Sequence, residues 1–541
     1  MKRIHRLALS IGTGLLLSLA WLGFPGWIVF VALLPLFLVE NYFVENKEEF
    51  RSVSFFGHAF LAMFVWNITT TWWIVHATAV GAAMAIITNS FLMSLVWWLG
   101  HLARRSFKSN LGYIAFAVFW ISFEFFHFRW DIEWPWLQLG NGFANNVKMI
   151  QWYEFTGAFG GTLWVLFMNI LLFSLLVQYS KGIRTRVTLF STLFYLLLFI
   201  VPVLVSKRMY KSYVEKVDPK QITIVQPNVD PYSESFDIRA EDTKKQNFLR
   251  LAASASDRNT DFIVGPETVF ENPSYWDESK LETNRFLNDM KQFIHQYKHA
   301  EMLFGVSSYK IYSNPDEVTT TARTNNDMTY DRFNTALFVD RQNEVQIYHK
   351  SKLVVGVEKM PFMKYLGFIS DVVLDIGGTT GSLGRQKDAS LFTSSDGTKL
   401  APVICYESVF GEYLTHYVQQ GAELIFIITN DGWWKNTPGY KQHMSFARLR
   451  AIETRRSIAR SANTGISCFI NQRGDVEQAT GWWVEAAISG KLNKNSSMTF
   501  YAKHGDYIAR VALFMSVLFI LLMIVRRFTE EQKKSAPIRF V

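Results

Sequence analysis

Long, nearly uncharged apolar runs are the strongest constraint this chain places on its own folding. About 20 mostly apolar residues suffice to cross a bilayer as a helix. Residues 7–23, 25–43, 53–75, 79–101, 111–127, 160–178, 187–206 and 509–525 are candidate spans on that basis. Backbone N–H and C=O groups in lipid must be satisfied internally, so such runs take the form of helices. Residues 1–210 are therefore predicted to form a transmembrane bundle of about seven spans, and 507–527 a C-terminal transmembrane helix with a charged tail, 528–541. The first run follows Lys2, Arg3 and Arg6, as in a secretory signal. No small-residue cleavage site comes after it and a second apolar run begins at once, so it is expected to be retained.

Lys and Arg in short loops set orientation. With the N-terminus on the cytoplasmic side, sixteen fall in cytoplasmic segments, among them Arg3, Arg51, Arg104, Arg105 and Lys533. The short loops on the other face hold only Arg129 and Lys148. Eight spans then return the tail to the cytoplasm and put residues 217–502, between spans seven and eight, across the membrane. The net charge of +9 resides in good part in these loops. No aromatic-plus-basic module accompanies it, which argues against nucleic acid as a partner.

Trp72, Trp73, Trp130, Trp134, Trp136 and Trp152 lie near outer span ends, where an interfacial aromatic belt is the ordinary expectation and a lipid-facing vestibule the functional one. Glu124 sits inside span five, five residues before Arg129. An ionisable group at that depth is costly and calls for a structural partner or a function.

Residues 217–502 alternate short β-rich runs with helical stretches, the pattern of layered α/β packing. Strands are predicted at 221–228, 261–267, 301–309, 332–340, 344–350, 399–405, 423–430 and 457–470, and helices at 243–256, 279–299, 410–420 and 439–456. The run Leu424 to Ile428 reads as a strand buried on both faces.

Three chemical groups fall at the ends of separate strands: Glu267 in Pro266-Glu267-Thr268, Lys350 in Tyr348-His349-Lys350, and Cys405 in Cys405-Tyr406-Glu407. Singly, each has a bland use, as a turn residue, a solvated strand end and a small buried thiol. Together they make a reaction centre. A thiol attacks a carbonyl as its thiolate, and a neighbouring base promotes this. Glu267 can take that proton and later return it. Lys350 can stabilise the tetrahedral oxyanion, helped by the Tyr406 backbone N–H. With two cysteines in all, Cys405 and Cys468, the chain is no disulfide scaffold. It carries neither a metal-ligand cluster nor a Gly-rich phosphate loop, so no cofactor is expected.

These segments resemble the three signature motifs of the nitrilase, or carbon–nitrogen hydrolase, superfamily, with Pro266-Glu267-Thr268, Tyr348-His349-Lys350 and Cys405-Tyr406-Glu407-Ser408 standing for its Glu–Lys–Cys triad. Asn430-Asp431-Gly432-Trp433, the stretch 447–453 and the stretch 460–465 are similar to it as well. Soluble members lack the eight spans; the combination resembles the apolipoprotein N-acyltransferases, membrane-bound relatives in bacterial inner membranes. The resemblance implies an αββα sandwich on the periplasmic side. It implies attack by Cys405 on the sn-1 ester of a phospholipid, typically phosphatidylethanolamine. The acyl chain would then pass from the thioester to the free amine of a diacylglyceryl-cysteine apolipoprotein. Glu267 would serve as base and acid and Lys350 as oxyanion stabiliser, with Glu358, Tyr406, Glu407 and Trp433 as supporting residues. The chain departs from the family where a Trp often follows the first strand; it offers Phe236 within 229–237. The apolar stretch 360–369 is predicted to be either packed core or a membrane-dipping lid, and Cys468 a buried thiol. A membrane-tethered amidase passing the thioester to water is the alternative enzyme, and a transporter or scaffold with a degenerate domain the non-enzymatic alternative.

Overall fold

A computed structural model describes residues 1–107, 110–183, 185–232, 241–270, 276–325, 328–362 and 382–535, and the chain divides into two units.

The first unit comprises Met1–Trp72, Ala83–Arg208 and the chain from Asp506 onward, and it is helical. Seven helices among the described residues are long and apolar enough to cross a membrane: Arg3–Trp21, Gly26–Glu45, Val53–His76, Ala79–Ser106, Tyr153–Ser180, Arg186–Ser212 and Tyr507–Thr529. The eighth candidate, Leu111–His127, is apolar but 17 residues long, about 26 Å at 1.5 Å per residue. It packs along the Tyr507–Ser535 helix, where Ser122 and Ser516 share a hydrogen bond of 2.8 Å.

Two spans are broken, and each break has a cause. The second resolves into a 3₁₀ turn, a short helix Val29–Ala32 and the helix Leu34–Glu45. The Asn169 side chain satisfies the groups freed there, accepting from Leu33 N (2.9 Å) and donating to Val29 O (2.8 Å). Irregular backbone is tolerated in such helices where a neighbour re-satisfies it. The sixth span starts earlier than predicted, at Tyr153, because Gly157 (φ 60°) kinks it rather than ending it.

Glu124 is buried and held by neutral donors: Trp120 Nε1 (2.9 Å), Leu139 N (2.9 Å) and Thr162 Oγ1 (2.7 Å). Arg129 pairs instead with Asp506, at 2.8 Å. The tryptophans do not form a uniform belt: Trp72 is exposed, whereas Trp73 and Trp136 are buried in protein.

The second unit, Trp73–Ala82 with Met209–Gly505, holds two β-sheets. Its strands are β1 (Pro219–Gln226), β2 (Phe262–Val264), β3 (Trp276–Asp277), β4 (Glu301–Ile311), β5 (Arg323–Asn325), β6 (Met328–Val339), β7 (Val345–His349), β8 (Phe392–Thr393), β9 (Lys399–Ile404), β10 (Leu424–Thr429), β11 (Ser457–Ala462), β12 (Cys468–Ile470), β13 (Val476–Ala479) and β14 (Ala486–Asn493). The eight-stranded sheet runs β14-β1-β2-β4-β6-β5, with β3 on β4 and β7 on β6; the six-stranded sheet runs β13-β12-β11-β10-β9-β8. Strands β1, β2 and β4 are parallel, as are β9, β10 and β11.

The sheets pack face to face through pairs such as Phe262–Phe426, with ring centroids 5.5 Å apart. On the outer face of the first sheet, helices Glu241–Ala255 and Arg285–Ile294 bury Phe248, Leu251, Leu287 and Met290 against Ile263, Met302 and Phe304. Helices Gly411–Gln419 and Pro438–Thr454 belong to the second sheet. This is the αββα sandwich that the sequence resemblance implied, and β10 is buried at every position.

Two predicted elements need correction. The stretch 457–470 is two antiparallel strands, because the chain turns back through Gly465 (φ 149°). The helix 279–299 is a 3₁₀ turn, Glu278–Thr283, followed by Arg285–Ile294. Asn284 is extended between them and its side chain caps Leu287 N. Phe236 and residues 363–369 lie outside the described residues.

Candidate active site

The site forms where strands end. Glu267 follows β2 by three residues, on a turn that passes directly over Gly305 of β4. A Cβ on Gly305 would sit 2.7 Å from the Glu267 Cα and 2.6 Å from Thr268 N, so only glycine permits the crossing. Backbone hydrogen bonds Gly305 N to Pro266 O (2.9 Å) and Val269 N to Gly305 O (3.0 Å) fix it. Lys350 follows β7 immediately, and Cys405 follows β9.

Lys350 Nζ lies between two carboxylates, 3.0 Å from Glu267 Oε1 and 2.9 Å from Glu358 Oε1, and is buried. Asn334 of β6 bridges the same two oxygens through Nδ2, at 2.7 and 3.0 Å. The other Glu267 oxygen accepts from Asn430 N (2.9 Å), and Glu358 Oε2 from Val354 N (2.8 Å). Glu267 and Glu358 therefore have their orientations fully determined.

Burial alone would favour the neutral amine of Lys350, but the Glu267 and Glu358 carboxylates and Cys405 outweigh it and push its pKa well above the usual lysine range. The Cys405 thiol is also pushed well up, first by burial and then by the Glu267 charge. Lys350 and a hydrogen bond with Thr429 act in the opposite direction. The thiol thus stays protonated at neutral pH and sits within electrostatic reach of both Glu267 and Lys350.

Cys405 adopts a left-handed backbone, φ 51°, in the step from strand to the 3₁₀ turn Cys405–Val409. For a non-glycine residue this costs on the order of 1–3 kcal/mol and persists only where neighbours impose it. Glu407 is one such neighbour. Its Oε2 accepts from Ile404 N (2.8 Å), and its Oε1 from Ser351 N (2.6 Å) and Tyr348 Oη (2.6 Å). It joins the turn that carries Cys405 to the strand end that carries Lys350. Burial raises the Glu407 carboxyl to about 7.

A second set of imposed contacts lies beneath the nucleophile turn. Cys405 O accepts from Ser408 Oγ (2.7 Å) and His443 Nε2 (3.1 Å). His443 Nδ1 stands 3.0 Å from Asp431 Oδ1, whose other oxygen takes Arg460 at 2.7 Å. Burial would raise the Asp431 carboxyl; Arg460 and His443 reverse that and hold it at about 2.

The structure thus gathers Glu267, Lys350 and Glu358 in direct contact, brings Cys405 beside them, and makes Glu407 a tie rather than a pocket group. Tyr406 packs its ring edge to face on Phe410, with centroids 5.2 Å apart. Trp433 packs its ring on Tyr232, and Tyr232 Oη donates to Trp433 O (2.7 Å). Asn334 and His443 carried no distinguishing signal in the sequence. Cys468 is fully buried, its thiol raised to about 11 by burial.

A cysteine with a left-handed backbone after a parallel strand, within electrostatic reach of a lysine clamped by two glutamates in a two-sheet sandwich, defines a class. The chain belongs to the carbon–nitrogen hydrolase family, whose sequence pattern matches residues 222–498, just over half of it. Residues 13–171 match the apolipoprotein N-acyltransferase N-terminal domain. The chain is 27% identical to an apolipoprotein N-acyltransferase of Chlorobaculum tepidum over 95% of its own length and 96% of that protein's. It is 25% identical to one from Geobacter metallireducens, over 93% and 92%. Among solved structures, Saccharomyces cerevisiae Nit3, of the nitrilase superfamily, is 14% identical with a TM-score of 0.35, covering 52% of this chain and 92% of that one.

Proposed function

We propose that this protein is an apolipoprotein N-acyltransferase of the bacterial inner membrane, working by a cysteine thioester with its α/β unit on the periplasmic side. The observation that carries the mechanism is the Lys350 ammonium held between Glu267 and Glu358 beside a buried, protonated Cys405.

Glu267 removes the thiol proton as sulfur attacks the ester carbonyl carbon of a phospholipid, phosphatidylethanolamine being the candidate donor. Lys350 Nζ and the Tyr406 N–H stabilise the oxyanion. Collapse expels the lysophospholipid alkoxide, which takes the proton back from Glu267 and leaves the acyl group on Cys405. The amine of a diacylglyceryl-cysteine apolipoprotein then attacks the thioester and gives its proton to Glu267. The departing thiolate recovers that proton. An ester has become an amide, and the enzyme is restored. Both substrates are anchored in lipid, consistent with the long apolar helices of the chain. The relatives' names support the transferase over the amidase reading.

The test is incubation of purified protein with phosphatidylethanolamine labelled in its sn-1 chain, followed by mass spectrometry. Wild type gains a hydroxylamine-sensitive acyl group on Cys405, and a diacylglyceryl lipopeptide discharges it as amide. Cys405→Ser loses turnover. A folded protein whose Cys405 is never acylated, or whose acyl group leaves only to water, would overturn the proposal.

A further inference from the structure

We propose that His443 is a positioning residue for acyl transfer: it clamps the Cys405 carbonyl from beneath and so aims the Tyr406 N–H at the reacting carbonyl oxygen. The inference rests on the thioester chemistry above and adds a residue that this chemistry does not itself require.

The argument begins with the peptide between Cys405 and Tyr406. It is planar and trans, so its C=O and N–H point in opposite directions. Whatever fixes the carbonyl also fixes the N–H. Two donors fix it here, Ser408 Oγ at 2.7 Å and His443 Nε2 at 3.1 Å. Ser408 belongs to the same 3₁₀ turn and would move with it. His443 belongs to the helix Pro438–Thr454, so it is the donor that anchors the peptide to the body of the domain.

The ring of His443 is itself immobilised. A carbonyl oxygen only accepts, so Nε2 carries a proton. On the far side, Nδ1 is 3.0 Å from Asp431 Oδ1 and 3.1 Å from an Arg460 nitrogen. Nε2–H is kept by the neutral tautomer whose Nδ1 accepts from the guanidinium, or by the imidazolium whose Nδ1–H donates to the carboxylate, and it then lies within reach of both the Cys405 carbonyl and Ser408 Oγ, 3.1 and 3.0 Å away. Asp431 follows β10 and Arg460 lies on β11, so three elements converge on the turn after β9. All three side chains are fully or almost fully buried. A buried ionic network is a poor device for stability alone, because desolvation offsets the attraction. It is well suited to holding one atom in one place, and the atom held here is the carbonyl of the nucleophile's own strained peptide.

Two substitutions separate this role from general support. In His443→Asn the amide can keep the contact with Asp431 but falls short of the Cys405 carbonyl. In His443→Gln the longer side chain can still donate to that carbonyl. Two rates are read on each variant: single-turnover acylation of Cys405 by labelled phosphatidylethanolamine, and alkylation of Cys405 by iodoacetamide, a displacement that forms no oxyanion. His443→Asn is expected to slow acylation about 10- to 100-fold, the scale of a lost or misaimed oxyanion donor. Its alkylation should stay within about threefold of wild type, and His443→Gln should recover most of the acylation rate. Acylation by His443→Asn within about threefold of wild type would overturn the inference. So would a parallel fall in both rates, since that marks damage to the thiol or the fold. Wild type that alkylates but never acylates would instead remove the proposed function.

Discussion

Asn334→Asp tests whether the charge balance around Lys350 sets the basicity of Glu267. The substitution exchanges an NH2 group for an oxygen of nearly the same size. Two hydrogen bonds, 2.7 Å to Glu267 and 3.0 Å to Glu358, become oxygen–oxygen contacts. Between charged oxygens at these separations, each repulsion is about 6 kcal/mol at an effective dielectric of ~20. One pKa unit corresponds to about 1.4 kcal/mol, so the cluster must hold a proton at neutral pH. That proton falls on or beside Glu267 and removes the acceptor for the Cys405 thiol. Loss of general-base assistance corresponds to about a 10²- to 10⁴-fold slower acylation. The assay is single-turnover acylation of Cys405 by labelled phospholipid, quenched and read by intact-protein mass spectrometry. Each repulsion is worth about four pKa units, so the proton is held firmly through neutral pH and the deficit should shrink only as pH rises well above 7. Asn334→Leu, which strips a donor without adding charge, should be slow at every pH. Wild-type acylation by Asn334→Asp at neutral pH, or a deficit independent of pH, would refute the reasoning.

Three further outcomes follow from the same contacts. Burial raises Glu407 from an ordinary 4.5 to about 7, so its protonated form favours the folded state; that contribution is complete below about pH 4.5 and is lost as pH rises through about 7, about 3 kcal/mol in all. The unfolding midpoint of Glu407→Gln should therefore lack this part of the wild-type slope, and identical slopes would refute it. Asp431→Asn strands the Arg460 charge in the core and should cost about 3–5 kcal/mol in chemical unfolding; a loss below about 1 kcal/mol would count against the ion pair. A Cβ at Gly439 would meet the Trp73 ring at 2.6 Å, so Gly439→Ala should lower the unfolding midpoint and Trp73→Ala should relieve that loss, a non-additivity that measures the contact.

What the sequence revealed and what it concealed divide along one line: whether the signal is local. The apolar spans were legible because 20 residues of one character need no partner to be recognised. The break at Leu33 was not, because the group that satisfies it, Asn169, lies 136 residues away. Strands β3, β5 and β8 are two or three residues long, too short for alternation to register. In the site, Glu267, Lys350 and Cys405 stood out because each ends a strand. Asn334 is one polar residue among several in β6, and only its distance to two carboxylates distinguishes it. His443 is similarly hidden, since its helix also buries Gln442, Arg450 and Glu453 and shows no clean apolar stripe.

The arrangement also answers how a thiol can be both available and quiet. Glu267 and Glu358 carry two negative charges, Lys350 one positive, and Asn334 fills the remaining oxygen contacts without charge. A second cation in its place would complete the neutralisation and weaken Glu267 as a base. The asparagine leaves one net negative charge beside the sulfur, and that charge adds to burial in keeping the thiol protonated. Sulfur therefore becomes nucleophilic only as its proton moves to Glu267. On the proposed mechanism that transfer is helped most by a carbonyl that takes the new electron pair while Lys350 receives the oxyanion. A cysteine poised in this way reacts with simple electrophiles such as iodoacetamide more slowly than a free thiolate does. On the proposed mechanism, the thioester would be attacked best by a nucleophile that can surrender a proton to Glu267, as an incoming amine does.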